Sequence, residues 1–133
     1  MSAKSTRKNE EEKKYKSFAV LSIVGDLIHN FTDGLSIGVS FVADYRMGLV
    51  TTMAMFSHEI PHTFGDFAIL FQLGWSVWYI AGTQLLTGTA ALAGTVVGSV
   101  VGQLYLKEAL AFCSGGFLYF AINGLLSELK SVD

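Results

Sequence analysis

The chain is 133 residues long, 51% hydrophobic, and carries a formal charge of −2. Such a length would suit one soluble domain, so the distribution of apolar residues decides the class. Residues 1–16 hold six basic and three acidic side chains against three basic and eight acidic in 17–133, and the lack of a basic stripe beyond this mixed-charge tail argues against nucleic-acid binding.

In chain order, residues 1–16 read as a charged, disordered tail, and their Lys/Arg excess beside an apolar segment predicts a cytosolic N-terminus. Four helices then follow, at about 17–42, 47–71, 75–101 and 108–126. About four residues separate the first two, which forces an antiparallel pair. The first apolar segment is too long and too polar for a cleavable signal peptide. Trp75 and Trp78 open the third helix with rings suited to a membrane interface, and a VGQLYLK connection leads to the fourth. From 67 to 106 run 40 residues without Asp, Glu, Lys or Arg, whereas ~20 apolar residues suffice for one span.

The predicted fold is therefore all-α: a polytopic membrane helix bundle of about four transmembrane helices. A soluble four-helix bundle would need a polar stripe on every helix, and the third has no charge at all. Glycines at 34 and 38, and at 94, 98 and 102, recur every four residues, a spacing that permits close helix contact in lipid.

Ionisable groups at bilayer depth are costly and mark functional sites. All three histidines of the chain fall in two short clusters, HNFTDG at 29–34 and HEIPH at 58–62. His29, Asn30 and Asp33 project over one arc of the first helix, and His58, Glu59 and His62 repeat that spacing on the second. Two such faces turned toward one another offer up to six N and O ligands, a set that suits zinc and also iron(II) or manganese. Pro61 cannot donate to the Ser57 carbonyl, so a kink is expected there. Asp26 and Asp66 fall outside this primary site, where either could orient a ligand, receive a departing ion or sit near an interface. Asp44, Arg46, Lys107 and Glu108 read as loop charges, and Cys113, the single cysteine, has no partner for a disulfide or a thiolate site.

HEIPH also fits H-E-x-x-H, in which two histidines bind zinc and the glutamate activates water. An intramembrane zinc metalloprotease is the weaker reading, because proline disturbs the helix that aims both rings and the first cluster would have no role. An enzyme is not expected.

These motifs closely resemble the ZIP (Zrt-, Irt-like) family of divalent-metal transporters. HNFTDGLSIGVSF at 29–41 is similar to the family's fourth transmembrane helix and HEIPHTFGDFAIL at 58–70 to its fifth. QLLTGTAALAGT at 84–95 is similar to the sixth, and GGFLYFAINGLLSEL at 115–129 to the seventh. By this resemblance the transport site falls on His29, Asn30, Asp33, His58, Glu59 and His62. Zinc is implied as a transported ion, not a prosthetic group, moving toward the cytosol by alternating exposure of the site. The resemblance also implies a lipid setting, with endoplasmic reticulum or Golgi membranes best matched, and a homodimer or association with a full-length family member.

Three features depart from the pattern. Thr63 stands where the HEXPHE-motif subfamily has glutamate. Thr87 stands where other branches have a carboxylate completing a second metal position, so one main metal site is expected. The family has eight spans and only four are matched, so a partial, truncated ZIP fold is expected, as a fragment, a short product or an incomplete gene model. Beside transport there is thus a second reading, a non-transporting relative that binds metal or regulates full-length transporters by dimerising with them.

Overall fold

A computed structural model describes residues 2–130 of the chain. Four helices follow one another: α1 (Ser2–Ala43), α2 (Tyr45–Gln72), α3 (Val77–Leu104) and α4 (Leu106–Lys130). No strand occurs among the described residues.

The connections are shorter than the sequence predicts, because residues read as loop charges belong to helix ends. Asp44 alone separates α1 from α2 and is the N-cap of α2, its carboxylate accepting from the backbone N–H of Arg46 at 2.8 Å and of Met47 at 3.2 Å. A capping carboxylate satisfies amides that have no partner inside the helix. Only Tyr105 separates α3 from α4, and Glu108 lies in the first turn of α4, where negative charge favours the helix dipole.

Trp75, expected to open the third helix, lies instead in the turn before it, and Ser76 caps α3. Here the Gly74 N–H donates to the Phe71 carbonyl and the Trp75 N–H to the Leu70 carbonyl, at 3.0 and 3.2 Å. This is the Schellman pattern, and Gly74 supplies its left-handed residue at φ 84°. Trp75 folds back onto the cluster of Ala19, Leu70 and Ile80 that ties this end of α1, α2 and α3 together.

The backbone over 2–16, expected as a disordered tail, is helical and continuous with the rest of α1. The Lys, Arg and Glu that fill this stretch are strong helix formers. α2 likewise continues through Pro61.

α1 is the hub of the bundle. It runs antiparallel to α2, as the advancing and receding pairs Ser40–Thr51, Asp33–His58 and Asp26–His62 require. It runs parallel to α3 at close range. A Cβ added to Gly34 would strike the Ala91 carbonyl, one on Gly38 the Thr95 carbonyl, one on Gly94 the Phe31 carbonyl and one on Gly98 the Leu35 carbonyl. The four-residue glycine spacing thus lets two backbones touch along two turns.

Burial is inverted relative to a water-soluble protein. Asp26, Asn30, Asp33, Ser36, Ser40 and Thr87 are buried, while Phe64, Leu85, Leu92 and Phe112 are among many large apolar side chains left exposed. Trp78 is 86% exposed, the placement expected of an interfacial ring. Among the described residues, α3 is the helix long and apolar enough to cross a membrane by length and composition. α1 and α2 have the length, but their inward polar residues dilute the apolar run.

Candidate metal centre

Helical periodicity puts the ligand-type side chains of α1 and α2 on facing stripes, and the antiparallel pairing brings them into register. His29, Asp33, His58 and Glu59 form one group whose ligand atoms all lie within 4.8 Å of one another. Asp33 is its centre: Oδ2 lies 2.8 Å from His58 Nε2 and 3.6 Å from His29 Nε2. Donors held ~2.0–2.1 Å from a tetrahedral cation sit about 3.4 Å apart, so this group could close on a divalent ion with small adjustments. The His58 Nδ1 lies 3.3 Å from the Ala54 carbonyl one turn back. That contact directs Nε2 to the site and is the kind of outer interaction that fixes a ligating imidazole.

The other two predicted residues fall elsewhere. His62 belongs to a second group with Asp26 and Asp66, again within 4.8 Å. Its Nδ1 lies 2.9 Å from Asp66 Oδ2 and 3.6 Å from Asp26 Oδ1. The buried Asn30 donates its amide N–H to Asp26 Oδ1 at 3.0 Å and to the Asp26 carbonyl at 3.2 Å. It also lines, with Asp33 and Glu59, a crevice between α1 and α2, so it borders both groups. Of the six residues, four thus converge in one group, His62 falls beside it with Asp26 and Asp66, and Asn30 borders both.

The link is a row of imidazoles. The His29 ring stacks on His62 with centroids 5.0 Å apart and meets His58 edge-on at 5.5 Å. The side chains of His58 and His62 stay 41% and 39% exposed, against 11% for Asp33 and 8% for Asp26. α1 thus supplies the covered wall of the site, and α2 supplies an open one.

Sequence reasoning assigned no role to Cys113, yet it lines a crevice between α1 and α4 together with Asp33 and Ser36. Nothing in the local sequence signals this, because the contact depends on how α4 packs. Thr87 is buried, its hydroxyl donating to the Gln84 carbonyl at 3.0 Å.

Comparison with known proteins agrees with the motifs. The family model described as ZIP Zinc transporter matches residues 2–133. The chain is 44% identical over 133 residues to Zinc transporter SLC39A7 of Homo sapiens, covering 90% of this chain and 28% of the relative. It is 39% identical over 126 residues to Zinc transporter zipt-7.2 of Caenorhabditis elegans, with 90% and 27% covered, and 42% identical over 120 residues to Zinc transporter ZIP10 of Danio rerio, with 88% and 14% covered. The chain spans little more than a quarter of the length of the first two relatives. No solved structure matches it. From the match along nearly its whole length, together with the two ligand-bearing helices, the chain belongs to the ZIP zinc transporter family.

Proposed function

We propose that this chain binds a divalent cation, zinc foremost, between α1 and α2 and forms the part of a membrane transporter through which that ion passes toward the cytosol. The observation that carries the reading is the convergence of His29, Asp33, His58 and Glu59 within 4.8 Å. Two imidazoles and two carboxylates suit zinc, with iron(II) and manganese(II) accepted by the same donor types. Asn30 and His62, the remaining predicted residues, support the centre from its flank.

The inverted burial supports a bilayer setting. Buried carboxylates and exposed phenylalanines would be unfavourable in water, whereas in lipid the apolar rim is solvated and the polar interior encloses the ion. The names of the relatives supply zinc as the cargo. A protease reading fares poorly, because it leaves His29 and Asp33, which converge with His58 and Glu59, without a role.

The open wall at His58 and His62 favours a second element of the reading. A charged ion in that position needs cover from further protein, so the centre functions in association with a second copy or a full-length family member. Endoplasmic reticulum or Golgi membranes are the proposed location.

The test is zinc entry into sealed liposomes carrying the purified chain, read by a trapped zinc-sensitive dye, with His58→Ala/Asp33→Ala as control. Entry abolished by the double substitution is the expected result. Entry of equal rate in the substituted chain would overturn the assignment. No entry by the unaltered chain until a full-length family member is co-reconstituted would select the associating form.

A further inference from the structure

We propose that Met55 is a specificity-determining residue of the His29/Asp33/His58/Glu59 group, its thioether favouring a soft divalent cation such as cadmium over a hard one such as manganese. The proposal rests on the reading that this group holds the ion, and adds to it a donor that neither ligand motif contains.

Position is the first support. Met55 lies three residues before His58 and four before Glu59, so helical spacing puts it on the same face of α2. It is 6% exposed, whereas Met47 and Met53 of the same helix are 49% and 66% exposed. With Asn30, Asp33 and Glu59 it lines the crevice of about 190 Å³ between α1 and α2. A methionine serving as core filler uses its rotatable bonds to close such a gap. Here the gap persists beside the side chain, and the same flexibility leaves the sulfur free to swing toward an ion.

Register is the second. Asp33 pairs with His58 and Ser40 with Thr51, so residue 55 of α2 stands level with residue 36 of α1. That level is about 4.5 Å from His58 along the helix, toward the α1–α2 turn. Beyond it the polar side chains along the pair are hydroxyls: Ser36 donates to the Thr32 carbonyl, Thr52 to the Gly48 carbonyl and Thr51 to Ser40 Oγ. An ion approaching from the turn meets Met55 before either histidine of α2. With the N-terminus of α1 on the cytosolic side, that is the end from which a cytosol-bound ion arrives.

Donor chemistry is the third. Carboxylates, the Asn30 amide oxygen and hydroxyls are hard oxygen donors, and none of them separates a soft ion from a hard one as a thioether does. Among the described residues lining the crevice, Met55 brings the only sulfur. The single thiol of the chain, Cys113, lines a different crevice, between α1 and α4, so the two sulfurs are separable by substitution.

The test measures zinc, cadmium and manganese affinities of the full chain in lipid nanodiscs by competition with a chelating dye, and reads the neighbours of bound cadmium by X-ray absorption. Five chains are compared: unaltered, Met55→Leu, Met53→Leu, Cys113→Ser and Asp33→Asn/His58→Ala. Leucine conserves volume, so a packing role of Met55 would leave the three affinities unchanged or lower them together. The expected result is a fall of about tenfold in the preference for cadmium over manganese in Met55→Leu alone, the size typical of groups bordering a metal centre, with loss of a sulfur neighbour from the cadmium spectrum. A preference unchanged in Met55→Leu, or lowered in Cys113→Ser instead, overturns the proposal. Asp33→Asn/His58→Ala is expected to lose all three metals; if it keeps zinc at full affinity, the reading of the group falls and the proposal with it. Should Met55→Leu fail to insert, a sulfur neighbour that persists in Met53→Leu and Cys113→Ser supports the proposal, and its absence from the unaltered chain overturns it.

Discussion

The α1–α3 seam makes the sharpest mechanical prediction, because glycines on the same helix differ only in what faces them. At Gly94 and Gly98 a methyl group would run into the backbone carbonyls of Phe31 and Leu35, whereas at Gly82 and Gly88 it would meet nothing within 4 Å. Backbone cannot rotate away as a side chain can, so accommodating alanine at 94 or 98 requires the helices to part by on the order of 1 Å. Overpacking of this kind costs about 1–3 kcal/mol per site. At 82 and 88 the same change removes a flexible residue from an exposed helix face and is expected to be neutral or to stabilise by up to about 1 kcal/mol. The four single variants, unfolded by SDS titration from mixed micelles and followed by circular dichroism, give the comparison directly. Gly94 and Gly98 also sit against the stretch of α1 that carries Asp33, so their variants should weaken zinc binding in parallel with stability. If all four variants unfold together, glycine contact does not hold α1 against α3.

Further outcomes follow from single contacts. Asp44→Ala removes the side-chain acceptor for two amides of α2 and should cost about 1 kcal/mol, with Asp44→Asn recovering most of it in the same unfolding assay. Gly74→Ala places a side chain at φ 84° and should cost about 1–2 kcal/mol, although no atom crowds the position. Asp33→Asn keeps the shape of the side chain that faces both His29 and His58 but halves its donor capacity; zinc affinity by competition with a chelating dye should fall at least as far as the roughly 10–100-fold seen for outer-shell changes. An unchanged affinity would remove Asp33 from the centre.

Much of the architecture is legible in the sequence because membrane helices must satisfy their backbone internally and announce themselves by length. Four helices, the antiparallel first pair and the glycine contacts all follow from that rule and from four-residue spacing. The ends were harder to read for a physical reason. A charge beside a hydrophobic run looks like a loop, yet Asp44 and Glu108 are there because helix N-termini attract negative side chains. Gly74 and Trp75 form a helix stop that depends on two specific hydrogen bonds and on the docking of an indole, and neither is visible as periodicity.

The site shows where spacing stops and register begins. Within one helix, an i to i+4 interval says that His29 can meet Asp33 and that His62 can meet Asp66. It does not say which residue of the opposite helix each will face. Antiparallel pairing fixes that, since one step toward the C-terminus of α1 is one step toward the N-terminus of α2. Once Asp33 is opposite His58, the partner of Asp26 must lie near residue 65, and His62 and Asp66 bracket that level. The same register sets His62 opposite His29, and their rings stack with centroids 5.0 Å apart, so His62 stands between the two groups. Spacing thus selects the ligand-type residues, and register decides that His29, Asp33, His58 and Glu59 converge while Asp26 and Asp66 gather beside His62.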